Sequence, residues 1–301
     1  MKKFFFCAAA AIVALASCSK TQVVYNDAPQ EIGFKAVTGA ITKAEQSGTL
    51  TGTMGVFAFV NGTADQVYFE NIQFSGSTTW TGGQYWPLQS SLNFVVYAPH
   101  GNASYTSKTL TVTGVDNTSA TTIATQTDYL YGAEYYDGVA DVTTGYNKTS
   151  GQVATNFKHA LAKVTLAFTG SNVTVNSVSL VKPTLKGSYS VDYNATTPVA
   201  VWNATAETTD LTLTEFADKT LNNSAQSVSI MVVPADDSDI AITYTIAGTD
   251  DVLNATIPLS STWAPGTHYT YNISINPISI VFSAPTVTGW TEQDAIDTPI
   301  N

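Results

Sequence analysis

Arginine is missing from this chain altogether. Its 12 basic residues are all lysine and are scattered, against 23 acidic residues, for a formal net charge of −11. Without a basic patch there is nothing to neutralise a phosphate backbone, so nucleic acid is excluded as a partner. Cysteine is nearly missing too: the only two are Cys7 and Cys18. The three histidines, His100, His159 and His268, lie far apart with no HExxH and no cysteine beside them, so spacing supports no zinc site. Gly-x-Ser-x-Gly, a Walker loop and GxGxxG are all absent, which removes the hydrolase elbow and the usual phosphate cradles. No cofactor, metal or catalytic residue is expected, and the chain reads as not an enzyme. Charged residues make up 12% of the 301, about half the share usual in soluble domains.

The one long apolar run is at the start. "MKKFFFCAAAAIVALASCSK" has a basic n-region, an apolar stretch from Phe4 to Ala14, and "LASC" at 15–18. The stretch is shorter than the roughly 20 residues a spanning helix needs, and the whole reads as a signal peptide. A small pair directly before cysteine resembles a bacterial lipobox. That resemblance implies cleavage after residue 17 and lipidation, such as palmitoylation, of Cys18. Cys7 is then lost and Cys18 stands alone, so no intrachain disulfide can form. Acyl chains would anchor the protein at about 0.8 kcal/mol per buried methylene.

What remains is rich in Thr, Ser, Val, Asn, Gly and Tyr, with 44% hydrophobic residues. β-Branched and aromatic residues suit a pleated surface. After a polar tether (19–30), "EIGFKAV" (31–37) alternates, with Ile32 and Phe34 on one face and Glu31, Gly33 and Lys35 on the other, which predicts a short strand. A polar stretch, "TGAITKAEQ" (38–46), follows, with Lys43 at its centre. Strand patterns then recur through the chain, among them "GTMGVFAFVNG" (52–62), "LNFVVYAP" (92–99), "ALAKVTLAF" (160–168), "SVSIMVVP" (227–234) and "ISIVFS" (278–283). Turn residues separate them. Only "ATNFKHALAKVT" (154–165) could pass for a helix, and its β-branched end argues against a long one. Many short strands at even spacing predict an all-β sandwich fold, and the length fits two tandem sandwiches. The expected division is a signal peptide at 1–17, tether and leader strand at 18–43, and sandwiches at 44–158 and 159–301.

Some features invite chemistry. "ADDSD" (235–239) and "TDD" (249–251) could offer oxygens to calcium, but match no EF-hand loop and sit at strand ends, where solvated turns are the simpler reading. "DYLYGAEYYDG" (128–138) could stack sugars; alternate tyrosines facing a core explain it as well. His159 reads as a structural residue at the core.

Seven segments, in order, resemble the fimbrillin family of type V pilins and related surface lipoproteins. They are "EIGFKAV…AITKAE", "MGVFAF", "YWPLQSSLNFVVYAPHG", "TDYLYGAEY", "FKHALAKVTLAF", "WAPGTHYTYNISI" and "VTGW" (287–290). The resemblance implies two transthyretin-like, Greek-key sandwiches and a structural, non-enzymatic role. It implies a lipoprotein at the outer membrane whose leader is cut between Lys43 and Ala44, with lysine standing where arginine is usual. Ile32 and Phe34 would be the plugs of the removed strand. Ile280, Phe282 and Val287 would be the plugs of a C-terminal donor strand that fills the same groove on another subunit. The implied partners are copies of itself or related pilin subunits, the outer membrane through the lipid on Cys18, and a host or bacterial surface receptor met in adhesion by the fimbria. The alternative is a permanently anchored surface lipoprotein of the same fold, a pilus anchor or glycan binder, in which the leader stays.

Overall fold

The computed structural model describes residues 28–36, 52–61, 66–132, 146–204, 206–234, 238–259 and 262–290. Cys18, Lys43 and Ala44 therefore lie outside the described residues, as do the signal peptide, most of the "ADDSD" cluster and the end of the tyrosine-rich segment. Among the described residues, twenty-two strands carry the fold. The first ten are β1 (Glu31–Ala36), β2 (Gly52–Val60), β3 (Val67–Gly76), β4 (Trp80–Tyr85), β5 (Leu92–Ala98), β6 (Asn102–Thr106), β7 (Thr109–Asp116), β8 (Leu130–Gly132), β9 (Val153–Thr155) and β10 (Phe157–His159). There follow β11 (Ala162–Gly170), β12 (Val173–Leu180), β13 (Lys186–Asp192), β14 (Ala200–Ala204), β15 (Leu211–Thr212) and β16 (Lys219–Thr220). The last are β17 (Gln226–Val232), β18 (Ile240–Ile246), β19 (Val252–Ile257), β20 (Thr267–Asn276), β21 (Ser279–Phe282) and β22 (Thr286–Gly289). The segment that could pass for a helix, 154–165, is strand almost throughout.

The first sheet has eight strands in the order β10-β8-β5-β2-β3-β4-β1-β9. Its two ends, β9 and β10, are separated in sequence only by Asn156, so the sheet rolls round until its two edges meet at that residue. The side chains it turns inward form one core, including Ile32, Phe34, Met54, Val56, Phe74, Trp80, Phe94 and Val153. The outer faces of β2, β5 and β8 are apolar as well: Phe57, Phe59, Val95, Tyr97 and Tyr131 pack against a second sheet, β14-β13-β7-β6. β5 is therefore buried along its whole length, which explains why "LNFVVYA" reads as a continuous apolar run rather than an alternation. Layers this close leave no room at Gly55, where an added Cβ would lie 2.1 Å from the Tyr97 ring. Burial pushes the Tyr131 phenol up to about 12.

The second half packs a sheet of β17-β11-β20-β21, with β22 also on β20, against a sheet of β15-β12-β18-β19, with β16 on β12. Val164, Leu166, Phe168, Ile230, Tyr271 and Ile273 from one sheet meet Val175, Val178, Ile240 and Ile242 from the other. The chain does not fill the halves in strict order. The β13–β14 hairpin returns to the first half and pairs antiparallel with β7, Tyr189 opposite Val112.

At the junction of the halves, Gln126 is fully buried and grips the outer edge of β17. Its Nε2 donates to the Met231 carbonyl at 2.7 Å, and the Met231 N–H donates to its Oε1 at 2.5 Å. Trp202 adds an indole N–H to the Ala160 carbonyl at 2.7 Å. Gln126→Leu keeps the volume and strands both Met231 groups in a buried place. It is expected to cost about 2–4 kcal/mol, read as a lower denaturant midpoint.

Candidate functional site: the slot of the leader strand and the C-terminal tail

β1 is a strand because its side chains alternate and because both neighbours offer it an edge. It runs antiparallel to β4, with Gly33 opposite Thr81 and Phe34 opposite Trp80, and parallel to β9, with Phe34 opposite Val153 and Lys35 opposite Ala154. Ile32 and Phe34 face inward and are 0% exposed. The Phe34 ring meets Phe74 at 5.2 Å and Phe94 at 5.1 Å, both edge-on. Such pairs add about 0.5–1.5 kcal/mol beyond the area they bury. The Gly33 face is roofed by a hydrogen bond from Gln152 Nε2 to Thr79 Oγ1. Trp86 N–H donates to the Gln30 carbonyl at 3.0 Å, and Gly83 N–H donates to Glu31 Oε1 at 2.9 Å.

If β1 were withdrawn, β4 and β9 would each show a row of unpaired backbone groups. Between them an apolar slot would open, walled by Phe74, Trp80, Phe94 and Val153. An edge of that kind is a template for another strand.

The other proposed plugs lie on the second half. β21 and β22 run in succession along β20, Phe282 opposite Ile273 and Val287 opposite Tyr269. Ile280 and Phe282 are half-buried against the second core, where Phe282 stacks on Tyr271 at 5.9 Å. Val287 is 55% exposed, and all of β22 is exposed. The tail is fastened beyond β22. Trp290 lies flat on the His159 ring, 3.7 Å away at 5°, and its N–H donates to the Gly266 carbonyl at 2.8 Å. His159 Nδ1 hydrogen-bonds Asp128 Oδ2 at 2.7 Å, and both are buried.

The remaining sequence candidates fall in separate places. His100 Nε2 meets the Asn71 carbonyl at 3.2 Å, and His268 Nε2 meets Thr165 Oγ1 at 2.8 Å. Asp250 and Asp251 lie between β18 and β19, after a turn closed by Thr249 N–H to the Ile246 carbonyl. Sequence reasoning passed over Asp128, Gln126 and the slot walls Phe74 and Val153. Asp128 sits in a segment quoted for its tyrosines, the others in no quoted motif, and each acts through a partner distant in sequence.

A family model described as fimbrillin-like matches residues 20–290. The chain belongs to the fimbrillin-like family. These are cell-surface structural and adhesion proteins, not enzymes. No curated protein matches the chain. Among solved structures it is similar to a candidate cell adhesion protein from Bacteroides ovatus at 17% identity and a TM-score of 0.56, over 89% of this chain and 100% of that one. A candidate cell adhesion protein from Bacteroides uniformis aligns at 18% identity and a TM-score of 0.53, over 87% and 98%. The tip fimbrial protein Mfa3 of Porphyromonas gingivalis, with its C-terminus truncated, aligns at 11% identity and a TM-score of 0.48, over 87% and 100%. At these identities the first two establish a shared all-β fold.

Proposed function

We propose that this fimbrillin-like chain is a structural pilin subunit, made as a lipoprotein anchored through Cys18 at the outer membrane and polymerised by strand exchange. Cutting between Lys43 and Ala44 would remove residues 18–43, and β1 with them. The slot would then take a strand from the C-terminal region of another subunit, with Ile280, Phe282 and Val287 as its candidate plugs. The sandwich units run 44–158 and 159–301 in this reading, with the β13–β14 hairpin lent back to the first.

One observation carries the proposal. β1 places Ile32 and Phe34, both 0% exposed, in the first sheet's core, yet it joins the body only through residues 37–51, the stretch that holds Lys43. A segment that central to the core is an odd thing to hang on a lysine-bearing connector, unless it is meant to leave.

The test is the N-terminal residue of protein recovered from cells, by mass spectrometry. Ala44 is the expected result for fimbrial material. A lipidated Cys18 on every molecule, with the leader intact, would overturn cleavage and leave a permanently anchored surface lipoprotein. Cys18→Ala is expected to move the protein from membrane to soluble fractions, since the acyl anchor goes with the thiol; retention on membranes would count against lipidation.

A further inference from the structure

The tail contains a copy of the leader. Residues 31–36 read Glu-Ile-Gly-Phe-Lys-Ala and residues 279–284 read Ser-Ile-Val-Phe-Ser-Ala. The inward positions of β1, Ile32 and Phe34, recur as Ile280 and Phe282 at the same spacing, and Ala36 recurs as Ala284. The differences fall at the alternate positions. The geometry points to one register: residues 279–284 of a second copy take the place of residues 31–36, in the same direction, with Ile280 in the seat of Ile32 and Phe282 in the seat of Phe34. This rests on the strand-exchange reading above and fixes the donor, its polarity and its alignment.

Three further observations bear on it. First, the slot accepts the change at Gly33. A Cβ there would meet the Thr79 side chain at 3.4 Å, the Gln152 side chain at 3.6 Å and the Trp80 carbonyl at 4.0 Å, which are ordinary contacts. The first side-chain carbon of Val281 is therefore accommodated where the leader has none. Valine favours a strand and glycine weakens one, so the incoming segment is the better occupant. Second, the same residue pair is less well housed at home. Ile32 and Phe34 are 0% exposed in the slot, whereas Ile280 and Phe282 are half-buried on β20 and Val281 is 58% exposed. Transfer buries apolar surface, which favours it.

Third, residues 279–284 begin at the end of the second half remote from the junction of the halves. β20 starts beside the junction of the halves, where Gly266 N–H donates to the Leu161 carbonyl. It runs parallel to β11, and Ile275 ends opposite Gly170. Its ten residues span about 30 Å, so Asn276 sits at the far end of the second half. Ile275 is fully buried there, and Ser279 follows Asn276 by three residues, a reach of about 10 Å. Ser279 thus starts at the end remote from the junction, and the register takes a second copy, not the same chain, as the recipient. Such a contact is head-to-tail and builds an open chain.

Cross-linking in fibres from cells tests the register. The chain after Lys43 has no cysteine, so introduced pairs report alone. V281C with T81C is expected to link neighbouring subunits, as is S283C with A154C, because Gly33 faces Thr81 and Lys35 faces Ala154 in the precursor. Fibres that instead link V281C to T79C or G83C, or link only the first pair, would overturn the register or polarity while leaving strand exchange standing. Links formed only within one subunit would overturn the choice of a second copy. Absence of any polymer from wild-type cells would overturn the strand-exchange reading, and the register with it. A second variant needs no polymer: E31S/G33V/K35S writes the tail segment into the leader of the intact chain. Its melting temperature is expected to stay level or rise by about 2 °C; a fall of more than about 5 °C would show that the tail segment does not fit the slot.

Discussion

Phe34→Ala in the uncleaved chain is expected to lower stability by about 3–5 kcal/mol. The ring is wholly enclosed, with Phe74 and Phe94 edge-on at either side. Its loss removes the burial of the ring, both ring pairs and the packing of a site whose walls, Phe74, Trp80 and Phe94, are themselves buried in the core. Ile32→Val, which deletes one methylene, is expected to cost about 0.5–1.5 kcal/mol. Denaturant unfolding followed by tryptophan fluorescence reads both, since Trp80 and Trp86 share this core. Under the proposed cleavage the effect would be confined to the precursor: position 34 would leave with residues 18–43, and fibres assembled from the variant should melt as wild type does. A precursor unmoved by Phe34→Ala would mean that β1 is not what closes the core, and the slot would lose its meaning.

The fold was legible where one physical rule acts at a time. "EIGFKAV" alternates, and β1 buries Ile32 and Phe34 while Glu31 and Lys35 stay exposed, with Gly33 of the outer face buried as well. The valine-rich runs bounded by turn residues became strands. Two-sided burial was harder. β5 gave no alternation to read, because its faces serve two cores, and sequence alone does not distinguish that from a buried helix turn. The segment around His159 is a sharper case: Ala160, Leu161 and Ala162 favour a helix locally, but pairing of Lys158 with Tyr131 and of Lys163 with both Met231 and His268 overrides the propensity. The return of β13 and β14 to the first half had no local signal at all, since it depends on which edge is vacant when the chain arrives. The candidate site was legible by pieces: Ile32, Phe34, Ile280 and Phe282 are visible as apolar residues at alternate positions of their strands. That the two sets are copies emerges only on setting residues 31–36 beside 279–284, far away in the chain. The grip of Gln126 on Met231, 105 positions apart, could not be read from either end.

Deleting residues 278–301 is expected to abolish the ladder of species in unboiled gels while leaving a folded monomer. The two effects separate because of how the tail is seated. At home it contributes two half-buried side chains, the stack of Trp290 on His159 and an edge ladder, so its loss costs the monomer about 2–3 kcal/mol, a modest part of a large two-core fold. In the polymer the same residues would supply the strand that closes the next subunit's first core, and nothing else in the chain repeats the Ile-x-Phe-x-Ala pattern of the leader. The deleted chain still carries a slot, so it can receive a strand and cannot give one. Mixed with full-length subunits it should act as a terminator, shortening fibres in proportion to its share. A symmetric contact would behave otherwise: there a chain lacking the tail would fail both to give and to receive, and would stay out of the fibre. Intact ladders from the deleted chain alone would sink the assignment of residues 279–284 as donor.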